Sequence, residues 1–146
     1  DGPEVANNNG DWRFRQEANF TWTASERFAM ALEMLYAWQQ KAVNSVDTAR
    51  WGGATLHAKW NISPKWYLSP RFEIYRDVGG TTSGSTVGTN QTLREMTLTY
   101  GRQVVQGLDV RAEGRWDIAS QGSPFLSKSG PRNNQVTGSA AVMYSF

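Results

Sequence analysis

Between residues 108 and 117 apolar and charged side chains alternate without a break. Leu108, Val110, Ala112, Gly114 and Trp116 fall on one side, and Asp109, Arg111, Glu113, Arg115 and Asp117 on the other. A strand sends successive side chains to opposite faces, whereas a helix of period about 3.6 mixes the two sets. Residues 108–117 therefore read as a strand with one apolar and one charged face. Six further segments follow the same rule, and a chain built this way is all-β.

In the first of these, Trp12, Phe14, Ala18, Phe20 and Trp22 oppose Arg13, Arg15, Glu17, Asn19, Thr21 and Thr23, with Gln16 a polar exception on the apolar side. In the second, Phe28, Met30, Leu32, Met34, Tyr36 and Trp38 alternate with Ala29, Ala31, Glu33, Leu35 and Ala37; this segment is also rich in good helix formers. The third sets Gly52, Ala54, Leu56, Ala58 and Trp60 against Thr55, His57, Lys59 and Asn61. The fourth sets Trp66, Leu68, Phe72 and Ile74 against Ser69, Arg71, Glu73 and Tyr75. Met96, Leu98 and Tyr100 oppose Glu95, Thr97 and Thr99 in the fifth. After 108–117, the last segment sets Val136, Gly138, Ala140, Val142, Tyr144 and Phe146 against Thr137, Ser139, Ala141, Met143 and Ser145.

Each segment matches the roughly 9–11 residues with which a tilted strand crosses a bilayer. Aromatic residues gather at two levels of the apolar faces. Trp12, Trp38 and Trp116 mark one level, and Trp22, Phe28, Trp60, Trp66 and Phe146 the other, with Tyr100 and Tyr144 on the same faces. Two such belts are expected where rings meet lipid headgroups. A soluble β-sandwich also alternates, but it gains little from so many Trp at strand ends and rarely carries charge along its opposite face. Bulk composition does not object: the mean hydropathy of −0.56 is that of an ordinary soluble chain, because only every second residue of a barrel strand meets lipid. No run approaches the ~18 apolar residues of a membrane-spanning helix.

The connections supply a separate argument. Tight joints at Ser25, at Ser63-Pro64 and at Gln106-Gly107 alternate with long connections over residues 39–48, 78–91 and 119–134. Membrane barrels have short periplasmic turns and long external loops. The expected fold is an antiparallel up-and-down transmembrane β-barrel wall. Residues 1–10 read as an external loop and residues 11–146 as one unit of seven strands. Bacterial single-chain barrels have even strand numbers, so the expectation is the C-terminal part of a larger barrel, or a chain closing a barrel with identical chains.

The charged faces hold the candidate lumen lining: Arg13, Arg15, Glu17, Glu33, His57, Lys59, Arg71, Glu73, Glu95, Asp109, Arg111, Glu113, Arg115 and Asp117. Such charges either tune which solutes pass or pair between strands and hold the wall together; both roles are compatible. Arg71, Arg111 and Arg115, near mid-strand, are the selectivity candidates. A lysine in place of Leu98 is expected to cost about 2–4 kcal/mol at the bilayer midplane, and one in place of Thr97 to be mild.

Other chemistry is poorly supported. His57 is the only histidine and Cys is absent, so neither a metal site nor a disulfide is expected. A hydrolase dyad on His57 lacks an identifiable serine. Glu113 and Asp117 have the types of a glycosidase pair, but acids four apart on a strand face are ordinary lumen residues. The Gly/Ser-rich stretch 79–88 lacks the phosphate-cradling pattern and reads as an external loop able to fold over the mouth. Residues 122–132 are more apolar and read as partly ordered. The net charge of +2, with both signs interleaved, carries no nucleic-acid footprint. No catalytic residue, cofactor or metal is expected.

The residues also carry a resemblance. The ending Val142-Met143-Tyr144-Ser145-Phe146 resembles the terminal strand read by the bacterial outer-membrane assembly machinery. Arg50-Trp51-Gly52-Gly53-Ala54 through Lys59-Trp60, then Ser63-Pro64-Lys65-Trp66, then Arg71-Phe72-Glu73 to Tyr75-Arg76-Asp77, is similar to the end of the OmpL-like β-barrel porins. The likeness spans about residues 11–146. It implies location in the bacterial outer membrane, a larger barrel, and passive passage of small polar solutes, with outer-membrane lipid and the remaining strands as partners. The alternatives from other classes are a structural barrel sheathing a partner protein without transport, and a small outer-membrane enzyme.

Overall fold

The computed structural model describes residues 10–43, 46–83 and 88–146. Seven long strands form one antiparallel sheet: β1 (Arg13–Ser25), β2 (Phe28–Val43), β3 (Asp47–Ser63), β4 (Trp66–Val78), β5 (Gln91–Val105), β6 (Leu108–Ala119) and, after a small hairpin of β7 (Phe125–Ser127) and β8 (Gly130–Arg132), β9 (Asn134–Tyr144). The order in the sheet is β1-β2-β3-β4-β5-β6-β9, so each strand pairs with its neighbours along the chain. The fold is the expected all-β one, and the helix-forming residues of β2 are overridden by pairing on both sides. The sheet is not closed: β1 and β9 each pair on one side only. The opening segment read as an external loop lies, for residues 1–9, outside the described residues.

The short turns form as their residues dictate. The Ser25 hydroxyl accepts from the amides of Arg27 and Phe28 at 3.2 and 3.1 Å, and the Ser63 hydroxyl from Lys65 at 3.3 Å. Both are side-chain turns of the kind serine favours. The third turn uses Gly107 at φ 82°, a conformation costly for any residue with a Cβ.

At the other end the strands run further than the alternation suggested. The connection expected over residues 39–48 is mostly strand, because β2 continues to Val43 and β3 starts at Asp47. A bulge beyond Gln39, with Lys41 at φ 50°, carries the ladder on to the Val43–Asp47 pair. The alternation fails there, so periodicity missed the extension. Lengths of up to 17 residues let these strands project past a bilayer-sized band.

Register fixes what shares a face. Every charged-face residue named from the sequence pairs with charged-face neighbours, and the belt aromatics that lie within the ladders pair with apolar-face neighbours except at the turn bulges, where Phe28 meets Ser25 and Trp66 meets Ser63. The buried apolar core is small: Ala37, Val43, Ala49 and Trp51 cluster at the long-connection end of the charged face, with Leu35, Ala42 and Tyr75 against them. Large apolar residues on the opposite face, among them Trp22, Phe72, Leu98 and Val136, are exposed. A water-soluble domain of this size buries such residues, and contiguous apolar faces mark surfaces covered by something else.

Candidate functional site

The charged face is organised in rows that cross the strands. One row reads Glu33–Thr55–Glu73–Glu95–Asp117–Gln135, and the row next to it, nearer the short turns, reads Ala31–His57–Arg71–Thr97–Arg115–Thr137. An acidic row thus lies beside a basic one. Like charges directly opposite one another repel, and here the arginines relieve the strain. Arg71 donates to Glu95 through Nε at 2.8 Å and through its terminal nitrogen. Arg115 reaches the second Glu95 oxygen at 2.8 Å and forks onto Asp117 at 2.8–3.0 Å. Thr97 and Gln135 complete the shell, donating to Glu95 at 2.8 Å and to Asp117 at 2.9 Å.

Burial decides what this cluster shows to its surroundings. The side chains of Glu95 and Asp117 are 8% and 7% exposed, whereas those of Arg71 and Arg115 are 33% and 41% exposed. The carboxylates lie beneath and the guanidiniums above. The interleaved sequence charges look balanced, but mid-sheet the surface is cationic. Glu95→Ala is expected to leave two neighbouring arginines without their shared anion. The cost is about 1–2 kcal/mol in urea unfolding of the micelle-bound protein, below the value for a fully buried pair because both guanidiniums reach water. An unchanged midpoint would show that the clamp contributes nothing to the wall.

The other candidates fall into smaller groups. Arg111 donates to Asp109 at 3.0 Å, and the Tyr67 hydroxyl donates to the same oxygen at 3.0 Å. The Tyr67 ring reaches Asp109 by lying across Gly101, where an added Cβ would stand 2.1 Å from Tyr67 Cζ. Lys59 covers the other part of that ring at 4.6 Å. Thr99 donates to Glu113 at 2.7 Å, Arg15 pairs with Glu17 on its own strand, and Arg13 lies over the Trp51 ring at 5.2 Å. Glu17, Glu33 and Glu73 line an open depression of about 320 Å³ with Asn19, Thr55 and Tyr75. An acidic hollow on β1–β4 therefore adjoins the arginines of β4–β6. His57 opposes Ala31 and Arg71 in register, while the Ser69 hydroxyl donates to the Ala58 carbonyl at 2.9 Å. Glu113 and Asp117 stand in different rows.

Several contributors were not singled out in the sequence. Trp51 faces the charged side, 7% exposed. Asp77 is fully buried, and its Oδ2 accepts from the amides of Thr82 and Ser83, both at 2.8 Å. The Tyr75 hydroxyl meets Thr82 Oγ1 at 2.6 Å. Gly79, at φ 107°, packs against Val43 so closely that a Cβ would lie 2.6 Å from its Cγ2. The base of the 79–90 connection is thereby tied to the charged face. Phe125 of β7 joins Glu73, Glu95, Arg115 and Asp117 around a further depression of about 220 Å³, so the last connection, expected to be partly ordered, also leans over this face. The available signal was parity: Trp51 and Asp77 are odd-numbered, as are the charged-face residues of their strands. Asp77→Ala is expected to strand two amides at about 1–3 kcal/mol and to speed limited proteolysis within residues 79–83. Unaltered cleavage would show the aspartate is not the anchor.

The belt aromatics all lie on the apolar face, with Trp38 stacked on Phe14 at 6.0 Å and Trp66 on Tyr100 at 5.0 Å. Trp12, Trp22, Trp60, Trp116, Tyr144 and Phe146 are exposed there, and Phe28 is half-buried. An antiparallel sheet with neighbouring strands paired in sequence, one face apolar and aromatic-fringed, the other charged, is the construction of a membrane β-barrel wall. The chain belongs to the family described as Putative beta-barrel porin-2, OmpL-like, whose pattern matches residues 1–146. Membership supports a porin-type role in general terms, and with it an outer-membrane setting. No curated protein and no solved structure matches the chain.

Proposed function

We propose that this chain forms part of the wall of a water-filled channel in the outer membrane of a Gram-negative bacterium, passing ions and small polar solutes by diffusion. The observation that carries the reading is the pair of half-exposed arginines, Arg71 and Arg115, above buried Glu95 and Asp117 on the face opposite the aromatics. Charge held out from a sheet whose other face is apolar requires water on that side. Wall charge, together with Phe125 and the base of the 79–90 connection on the charged face, sets selectivity, and no catalytic step or cofactor enters.

In this reading the short turns are periplasmic and the long connections external. Closure follows from the open edges. Lipid leaves no backbone group without a partner, so further strands of the same barrel, or identical chains, pair with β1 and β9. A barrel that sheathes a partner protein has the same outer face, but a lumen filled by that partner does not conduct. The test is the mass of the native detergent-extracted particle together with single-channel recording in a planar bilayer. Steady ohmic conductance from a particle well above the 16.3 kDa of this chain is the expected result. A 16.3 kDa monomer that conducts nothing would end the channel reading.

A further inference from the structure

The apolar face of the seven long strands is nearly free of charge, and its exceptions are all of one sign. Arg50, Arg76, Arg94 and Arg102 stand on it, and no carboxylate does, among the described residues. Arg102 lies toward the short turns, over the Trp66 ring at 4.6 Å. The other three are at the opposite end, exposed, and none makes an ion pair among the described residues.

Their register is diagonal. Arg50 opposes Val78, Arg76 is one outward position nearer the short turns, and Arg94, opposite Ile74, is one nearer again. The short turns slope the same way: along one row, Phe28 adjoins its turn, Trp60 is further from its own, and Tyr100 further still. The diagonal is therefore close to a line of constant height. Each arginine is roughly 11–14 residues from its short turn, about 30 Å at ~3.3 Å per residue and a ~40° tilt. That is just beyond an apolar band of about 25 Å. Directly beneath, Arg94 forms the rim of an apolar depression of about 410 Å³ lined by Leu56, Phe72, Ile74, Met96 and Trp116.

We infer that Arg50, Arg76 and Arg94 form a binding site for an anionic lipid, one whose phosphate carries no compensating headgroup cation, in the leaflet on the long-connection side, with an acyl chain in the depression below. Diagonal neighbours on adjacent strands are about 7–8 Å apart, within the span of one headgroup. Guanidinium binds phosphate through paired hydrogen bonds, and no protein carboxylate competes for it on this face. The site rests on the membrane-wall reading, since it requires the apolar face to meet lipid.

The test is native mass spectrometry of the whole detergent-solubilised protein titrated with phosphatidylglycerol, with phosphatidylcholine, or with inorganic phosphate. Phosphatidylglycerol is expected to be retained about tenfold more tightly than phosphatidylcholine. A triple Arg50→Gln, Arg76→Gln, Arg94→Gln variant is expected to erase that preference, and Arg102→Gln to keep it. Equal retention of the two lipids by the unaltered protein overturns the site without any variant. So does a preference that survives the triple substitution, and displacement of lipid by equimolar inorganic phosphate would mark a site for free anions instead. Protein that inserts into vesicles and conducts, yet shows no preference, sinks this inference alone. Protein that never inserts sinks the channel reading and the site together.

Discussion

A lysine in place of Leu98 is expected to cost about 2–4 kcal/mol, enough to abolish insertion of a marginally stable wall. Leu98 is 51% exposed on the apolar face of β5, opposite Pro70 and Gly114, where nothing in the sheet shelters an ammonium group. The matched substitution belongs on the other face. Thr97, the neighbour from which periodicity alone predicts a mild effect, is unsuitable: it is 3% exposed and pairs in register between Arg71 and Arg115. A lysine there adds a third cation to a packed cluster and is expected to destabilise as well. Thr55 is the better comparison, because it lies between Glu33 and Glu73 and lines the acidic hollow. Thr55→Lys is expected to change stability by no more than about 0.5 kcal/mol. Folding into vesicles across a urea series, followed by the gel shift of the folded form, measures both. Equal losses at 98 and 55 would mean that the faces are reversed.

The second large effect is on selectivity. Replacing Arg71 and Arg115 together by Gln removes the cations that stand over Glu95 and Asp117, leaving the acidic row of Glu33, Glu73, Glu95 and Asp117 uncovered. The reversal potential in a potassium chloride gradient is expected to move toward cation selectivity. One charge at 4 Å in water contributes about 1 kcal/mol, so the cation-to-anion permeability ratio should rise at least about fivefold. The shift should shrink at high salt, where the ~3 Å screening length at 1 M isolates the wall from a passing ion. An unchanged reversal potential, with conductance intact, would mean that the permeating ions do not pass this cluster. Arg111→Gln is the internal comparison. Its guanidinium is shared with Asp109 and lies three rows of the ladder from Glu95, so its effect should be smaller.

The parts of this wall legible in the sequence are those that depend on neighbours along the chain. Side-chain alternation is a property of a single strand, so 108–117 announces its two faces unaided, and the belt aromatics and charged-face residues follow by counting in twos. The Ser25, Ser63-Pro64 and Gln106-Gly107 turns are equally local, since each closes on its own hydroxyl or its own glycine.

Register is not local, and what depends on it came only from the fold. Alternation puts Glu73, Glu95, Arg71 and Arg115 on one face. It does not say that Glu95 lies between two arginines on adjacent strands, with its carboxylate covered and theirs in the open. The same holds for the diagonal of Arg50, Arg76 and Arg94, and for Asp77, which meets the amides of its loop only after the chain turns back. The extension of β2 and β3 past residue 39 was hidden because a bulge breaks the period while the ladder continues. Sequence determined which face each side chain takes, because that is set by the backbone of one strand. The tertiary structure decided which charges meet and which stay exposed, because sliding one strand along its neighbour by two residues re-pairs every row and leaves every side chain on its own face.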